Sequence, residues 1–381
     1  MKSASSHLSQ SVDKNNCIDI GPFSGITVIG WCTHADDNGV EIPRWSAGWN
    51  GVLMISFKRV RAAGGVAALA LAVTALVGCS SSEAAPPSDE VGADEVLPIR
   101  VGYSQGPSTL PIIIAEKNGI FADHGLDFTG TIVTPGPTAM QGLGKQYDVL
   151  QTSTQAVFEA ADQGLDIAFV TGMGNSTTEL PAFPVYVGDA SISTWGDLGG
   201  KVFGVPSLTG FATTTALFLA EKEGADPASI ETPVVPWDTQ ADQLAAGQVD
   251  AVWTVIPYSF LMNSKGFTLL GDPTLQATGV DELVASVTAA PGDFAEKNPE
   301  TLSRFKAALE EAAQWVADNE DEAKQVVVDV LGLPEQLIMS NPMQSYKIDL
   351  APADLEPMFV VYDQLDMLQD LPELDELFAK F

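Results

Sequence analysis

Strand-like and helix-like segments alternate along this chain, and the same alternation returns about 100 residues later. In the first run, a strand pattern at 99–103 precedes a helix pattern at 111–118. In the second run, a strand pattern at 201–205 precedes a helix pattern at 213–223. Alternation of this kind is typical of parallel sheets covered by helices. The sequence therefore predicts an α/β chain with two lobes of the same kind.

Two further strand-like segments, 183–187 and 283–289, bracket the second run and are interpreted as crossovers between the lobes. We therefore expect lobe 1 to be discontinuous, with residues 97–187 plus 288–381, and lobe 2 to comprise residues 188–287. The segment after Ala290 has helical patterns without strands, so its helices should pack on an existing lobe. These helices are predicted at 298–316, 320–331, 354–368 and 372–381.

The stretch from Met54 to Cys79 has the pattern of a secretory signal. Lys58, Arg59 and Arg61 precede an apolar run at 62–77, which is short for a helix that crosses a bilayer. The alternative is an uncleaved membrane anchor. Residues 1–53 precede this signal, and we interpret them as an over-extended start, or as a cytoplasmic extension.

The end of the apolar run, Leu76-Val77-Gly78-Cys79, resembles a bacterial lipobox. The resemblance implies that Cys79 carries lipid and becomes the first residue of the mature protein. Residues 79–96 would then be the lipid anchor and a flexible tether, because the segment is polar, acidic and contains prolines. We expect a protein held at the extracytoplasmic face of the cell membrane.

The charge balance excludes several functions. The chain has 50 acidic and 18 basic residues and a net charge of −32, which argues against direct binding of nucleic acid. Six basic and five acidic residues precede Cys79, so 12 basic and 45 acidic residues follow from there. Beyond Cys79 itself, the remainder has one histidine, His124, and no cysteine. We therefore expect no internal disulfide, no His/Cys metal site, no cofactor and no nucleophile–base catalysis.

Short motifs in fixed order indicate a family between about Leu97 and Leu331. The motifs are Ile99-Arg-Val-Gly-Tyr103, Ala115-Glu-Lys-Asn-Gly-Ile-Phe121 with Gly125-Leu126, Trp195-Gly-Asp-Leu-Gly-Gly-Lys201, Val205-Pro-Ser207, Gly247-Gln-Val-Asp-Ala251 and Asn298-Pro-Glu300. With these motifs the chain resembles the substrate-binding proteins of ABC importers, in the group that serves nitrate, sulfonate, taurine and thiamine precursors.

The resemblance implies a two-lobed fold of the type II periplasmic-binding-protein kind, with parallel-sheet lobes and hinge crossovers. It also implies a monomer that closes on a small ligand and passes it to an ABC permease. A sulfonate or taurine is the favoured ligand, and a pyrimidine precursor of thiamine is the alternative.

The ligand crevice of open α/β sheets lies at the carboxyl ends of the strands. Hydroxyl-rich loops at those ends supply the candidate ligand-binding residues in lobe 1: Ser104, Gln105, Ser108, Thr109, Thr152 and Ser153. In lobe 2 they are Ser207, Thr209, Gly210, Phe211, Trp253 and Tyr258, with Trp237 as a weaker aromatic candidate. Helix capping is the alternative role for the hydroxyls, and core packing for the aromatic residues.

None of these loops contains Lys or Arg, which leaves the charge of the ligand open. An anion would have to be held by N–H groups and hydroxyls, whereas a neutral, zwitterionic or cationic ligand needs no cation from the protein. The two rival functions are an enzyme on the same scaffold and an adhesion module. A relative of this scaffold that makes pyrimidines uses a histidine and a Cys-rich iron site, which this chain lacks. An adhesion module would present a flat apolar patch rather than a closing cleft.

Overall fold

The computed structural model describes residues 17–18, 31–35, 41–44, 95–134, 137–369 and 372–381. The chain forms two compact units, Met1–Ala85 and Pro86–Phe381. The first unit contains a small antiparallel sheet in the order β1-β2-β3, with β1 Cys17–Ile18, β2 Trp31–Ala35 and β3 Glu41–Arg44. The signal, Cys79 and the tether up to residue 94 lie outside the described residues.

Two larger sheets and one two-stranded pair organise the second unit. Its strands, in chain order, are β4 Leu97–Tyr103, β5 Leu126–Ile132, β6 Val149–Ser153, β7 Ile167–Gly172, β8 Asn175–Thr177, β9 Val185–Val187, β10 Phe203–Gly204, β11 Ala251–Trp253, β12 Thr268–Gly271, β13 Glu282–Val284 and β14 Ser286–Pro291. We call the part around the five-stranded sheet β5-β4-β6-β14-β7 lobe 1. The part around the four-stranded sheet β10-β11-β9-β12 is lobe 2.

Each large sheet is mixed rather than wholly parallel. In lobe 1, β4 runs parallel to β5 and β6, whereas β14 is antiparallel to β6 and β7. In lobe 2, β10 and β11 are parallel, and β9 is antiparallel to β11 and β12. The chain enters the sheet of lobe 2 with β9 and returns to the sheet of lobe 1 with β14. These two strands run antiparallel to both of their neighbours. The predicted two-lobed α/β fold is confirmed, with this antiparallel strand in each lobe as a correction.

The strand pairing also corrects the predicted lobe boundaries. Residues 185–187 were assigned to lobe 1, but β9 lies between β11 and β12 in lobe 2. Residues 286–287 were assigned to lobe 2, but they begin β14 in lobe 1. Between the lobes, β8 pairs with β13, so the two crossings run side by side. The sequence pattern identifies an extended segment but not its partner, because the partner is distant in the chain.

Thirteen helices of the described residues cover and connect these sheets. They are α1 Leu110–Lys117, α2 Ile120–Asp123, α3 Pro137–Gly142, α4 Thr154–Asp162, α5 Phe211–Lys222, α6 Trp237–Ala245, α7 Tyr258–Ser264, α8 Pro273–Thr278, α9 Gly292–Lys297, α10 Pro299–Asp318, α11 Glu320–Leu331, α12 Glu335–Met339 and α13 Pro352–Gln364. The predicted helix at 372–381 is wrong, since this segment contains only a 3₁₀ turn, Leu374–Leu377. Among the described residues, no helix is both long enough and apolar enough for a membrane crossing.

Helix α10 shows why the helices after Ala290 need no sheet of their own. Its residues Leu302, Phe305 and Leu309 recur at helical spacing and are fully buried. Phe305 stacks on Phe121 with ring centroids 5.8 Å apart, and Phe121 stacks on Phe128 of β5 at 4.1 Å. The apolar face of α10 is therefore completed by lobe 1.

A buried carboxylate ties the first crossing to lobe 2. Asp272 is 4% exposed and stands at the N-cap of α8. Its Oδ1 accepts hydrogen bonds from the amide and the hydroxyl of Thr274, at 2.9 and 2.7 Å. Its Oδ2 accepts from the Ser176 hydroxyl of β8 at 2.8 Å and from the Phe183 amide at 3.1 Å. Because both oxygens are satisfied, the charge is tolerated in the interior and fixes the path of the crossing.

Replacing Asp272 should destabilise the fold strongly. Asp272→Ala leaves buried donors of Ser176, Phe183 and Thr274 without acceptors, and we expect a loss of about 2–4 kcal/mol in the free energy of unfolding. Urea unfolding measures this loss. The control is Asp226→Ala, which removes an exposed cap that accepts from the Ala228 amide, and its effect should be much smaller. Equal losses in the two variants would contradict the role given to Asp272.

Candidate functional site

Two sets of loops meet where the lobes face each other. Strands β4 and β6 are parallel, so the segment 104–109 after β4 and the segment 151–154, where β6 ends and α4 begins, share one edge of lobe 1. Strands β10 and β11 are parallel, and the loops 206–210 and 254–258 share one edge of lobe 2. We call these four segments the cleft loops.

Side chains from both lobes meet at the cleft loops. Pro107 and Ile256 of these loops and Phe260 of α7 line one small cavity, together with residues of α11, α12 and the segment after α12. The cavity volume is about 10 Å³, which holds no more than one water molecule. The lobes are therefore in contact at this side of the cleft.

The loop 104–109 is held by its own hydrogen bonds. The Ser104 hydroxyl donates to Gln151 Oε1 at 3.1 Å, and the Thr109 hydroxyl donates to the carbonyls of Ser104 and Gly106 at 2.7 and 2.8 Å. Thr109 is fully buried and its hydroxyl is used within the loop, so in this structure it presents no surface for the predicted ligand contact. Gln105 is exposed, and Ser104 and Ser108 are partly exposed.

At the end of β6, the two predicted residues differ. Thr152 is half-buried within the sheet, where it lies opposite Val287. Ser153 is exposed, and its hydroxyl accepts from the Ala156 amide at 3.2 Å as the N-cap of α4. The alternative role of helix capping therefore applies to Ser153.

In lobe 2, the hydroxyl residues are exposed and the aromatic residues are mostly buried. Ser207 and Thr209 are exposed, and Gly210 is the N-cap of α5. Trp253 is 6% exposed, and its Nε1 donates to the Thr213 hydroxyl at 2.8 Å. The alternative of core packing therefore holds for Trp253, because its polar atom is satisfied inside the lobe.

Phe211 joins the lobes rather than facing a solute. It begins α5 in lobe 2, yet its ring stacks on Tyr362 of α13 with centroids 4.6 Å apart. Phe211 is 4% and Tyr362 1% exposed, within an apolar cluster that includes the lobe 1 residues Phe158 and Phe169. Burial raises the pKa of Tyr362, whose hydroxyl has no hydrogen-bond partner among the described residues.

Gln155 forms a polar bridge beside this stack. Its Nε2 donates to the Thr209 carbonyl at 3.2 Å, and its Oε1 accepts from the Phe211 amide at 2.9 Å. The sequence analysis missed Gln155, because nothing in the pattern of α4 distinguishes it from a surface glutamine. Within α4 its Nε2 also donates to Glu159 Oε1 at 2.6 Å, and only the approach of lobe 2 adds the two partners in the other lobe.

Tyr258 and Trp237 form an aromatic pair at the carboxyl edge of lobe 2. Their ring centroids are 6.4 Å apart with an interplanar angle of 29°. Trp237 is 39% exposed and Tyr258 is partly exposed. Of the aromatic residues that the sequence singled out, these two keep ring surface open to a solute.

The contact of Phe211 with Tyr362 should hold the lobes together. Phe211→Ala removes a buried ring, so we expect a loss of about 3 kcal/mol in stability and a larger radius of gyration. Urea unfolding and small-angle X-ray scattering measure the two effects. Leu208→Ala is the control, because Leu208 lies in the same loop and is 56% exposed. An unchanged radius of gyration in Phe211→Ala would contradict the anchoring role.

The comparisons with known proteins agree with this architecture. Two α/β lobes that meet at the carboxyl edges of their sheets are the fold of the periplasmic binding proteins. The chain belongs to the NMT1/THI5-like family, whose sequence profile matches residues 106–323. A Brucella abortus (strain 2308) protein named as a binding protein is 24% identical over 250 residues, which cover 62% of this chain and 72% of that protein.

Solved structures share the fold at low sequence identity. The aliphatic sulphonate binding protein SsuA from Escherichia coli is 18% identical, with a TM-score of 0.62, over 74% of this chain and 97% of that protein. The nitrate-binding protein NrtA from Synechocystis PCC 6803 is 15% identical, with a TM-score of 0.60, over 74% of this chain and 85% of that protein.

The same fold also carries an enzyme. The desulfurization enzyme DSZB is 16% identical, with a TM-score of 0.55, over 74% of this chain and 96% of that protein. In the chain described here, His124 lies on lobe 1 with its Nε2 2.8 Å from the Glu311 carboxylate of α10. The histidine is therefore paired on a helix surface rather than with a nucleophile.

Proposed function

We propose that this chain is an extracytoplasmic solute-binding lipoprotein that delivers a small organic solute to an ABC importer. The observation that carries the proposal is the meeting of four cleft loops from two separate lobes. A solute between them would contact both lobes and thereby favour the closed arrangement. Its partners would be the solute and an ABC permease, and it would act as a monomer.

The residues proposed to face the solute are those that the fold leaves accessible at the cleft loops. They are Ser104, Gln105, Ser108, Thr152, Ser153, Ser207, Thr209, Gly210 and Tyr258. The resemblance seen in the sequence favours a sulfonate or taurine, with a pyrimidine precursor of thiamine as the alternative. Family members bind such different solutes that the fold itself does not select among them.

A thermal-shift panel tests the proposed function. The purified full chain is heated with alkylsulfonates, taurine, nitrate, pyrimidines, aromatic acids and amines. A true ligand at 100 times its dissociation constant should stabilise the chain by about 2.7 kcal/mol. Release of the ligand unchanged supports transport, whereas its chemical conversion would favour an enzyme. If no compound of the panel stabilises the chain, the result favours the adhesion module and contradicts the proposal.

The lipid anchor is proposed from the sequence around Cys79. A thioether-linked diacyl group with a further acyl chain on the amine would give stable attachment, whereas one chain is marginal. The polar segment up to residue 96 would let the folded unit reach the permease from its attachment point.

Cys79→Ala should leave the protein unprocessed or release it from membranes, because the lipid-bearing sulfur is gone. Cell fractionation and the mass of the product measure this outcome. Ser80→Ala is the matched control and should be processed and retained normally. Normal processing and membrane association of Cys79→Ala would count against the anchor while leaving the solute-binding proposal intact.

A further inference from the structure

The basic side chains are concentrated away from the cleft loops. In the middle of β4, Arg100 forms an ion pair with Asp148 and donates to the Lys145 carbonyl. Lys117 and Lys222 lie in the last turns of α1 and α5, whose first turns adjoin the cleft loops. An anionic solute would therefore meet no fixed positive side chain from the loops themselves.

Several amides in the first turns of α4, α5 and α7, the helices that follow cleft loops, already donate hydrogen bonds within the protein. The Ala156 amide donates to the Ser153 hydroxyl, and the Phe211 amide donates to Gln155 Oε1. At α7, the Ser259 amide donates to the Val255 carbonyl at 3.0 Å. Free amides at a helix start are the usual substitute for a cation in anion binding, and these three are occupied by the protein itself.

The aromatic pair instead offers a surface suited to a positive charge. Residues 231–234 run beside β10 in the parallel direction, so Trp237 begins α6 at the same edge as the cleft loops. Asp238 follows Trp237 in the first turn of α6 and is exposed. Leu208 and Val234, 56% and 60% exposed, add apolar surface at this edge. Aromatic faces attract an ammonium group, and a neighbouring carboxylate strengthens that attraction.

We propose that the cleft takes a small organic cation, an amine or quaternary ammonium with apolar substituents, against the aromatic pair of Trp237 and Tyr258, with the exposed carboxylate of Asp238 in the same helical turn adding to the attraction. This inference rests on the proposed solute-binding function. It differs in the ligand, which is a cation in place of the anionic sulfonate. The net charge of −32 adds a field that attracts cations and repels anions at low ionic strength.

Matched probes that differ mainly in charge test the proposal. One triad is choline, its neutral isostere 3,3-dimethylbutan-1-ol, and 2-hydroxyethanesulfonate. A second triad is benzyltrimethylammonium, benzyl alcohol and phenylmethanesulfonate. Isothermal titration of the purified full chain should show at least tenfold tighter binding of the cation than of either partner in one triad. Its affinity should fall as sodium chloride rises, since salt screens the attraction.

Variants locate the binding face. Trp237→Ala should weaken the cation at least fivefold, whereas Trp237→Phe, which keeps an aromatic face, should retain most of the affinity. Asp238→Asn should weaken binding of the cation and leave the affinity for the neutral isostere unchanged. Trp315→Ala, an aromatic change on α10 of lobe 1, is the control and should leave binding unaltered. Urea unfolding midpoints confirm that each variant is folded.

Each other outcome overturns the proposal in a distinguishable way. If a sulfonate binds most tightly, or if the cation and its neutral isostere bind equally, the proposed charge class is wrong and the solute-binding function stands. If only solutes outside the two triads bind, the inference fails in the same way. If nothing in the triads or in the wider panel binds, the solute-binding function itself fails.

Discussion

The double passage of the chain between two sheets is the constraint on which the rest of this structure depends. Strands β9 and β14 each enter a sheet from the side of the other lobe, so each runs against its parallel neighbours. Because β8 and β13 pair between them, both crossings are fixed together. The carboxyl ends of the remaining strands are thereby turned toward a common region, where a solute can contact both lobes.

Contact between the lobes is carried mainly by apolar side chains. Lobe 2 contributes Phe211 and Phe260, which are 4% and 5% exposed and lie in apolar clusters shared with lobe 1. Full burial of one such ring is worth about 2 kcal/mol, whereas a neutral hydrogen bond such as that of Gln155 contributes about 1 kcal/mol. The polar loops are thus free to recognise a solute, because the neighbouring rings supply much of the closure energy.

The charged and polar residues at the cleft, rather than the fold, determine which class of solute this chain is suited to bind. The related folds that bind sulphonate and nitrate show that the architecture accommodates anions in other proteins. Here the cleft loops carry hydroxyls, an amide and aromatic rings, and the exposed Asp238 follows Trp237 in the first turn of α6. Under the proposal of a cationic solute, one scaffold would serve solutes of opposite charge, since specificity resides in loops that the sheets position.

The sequence by itself determined the α/β alternation, the two lobes and the loops at the strand ends, because periodicity and turn residues act over a few neighbours. It also predicted Tyr258, Ser207 and Thr209 as candidate ligand contacts, and the structure leaves these residues at least partly accessible. Tertiary structure alone decided which extended segments pair, and so moved residues 185–187 into lobe 2. It buried Thr109 and Phe211, and it gave Gln155 its partners across the lobes. Burial and long-range pairing depend on residues far apart in the chain, so local sequence patterns do not predict them.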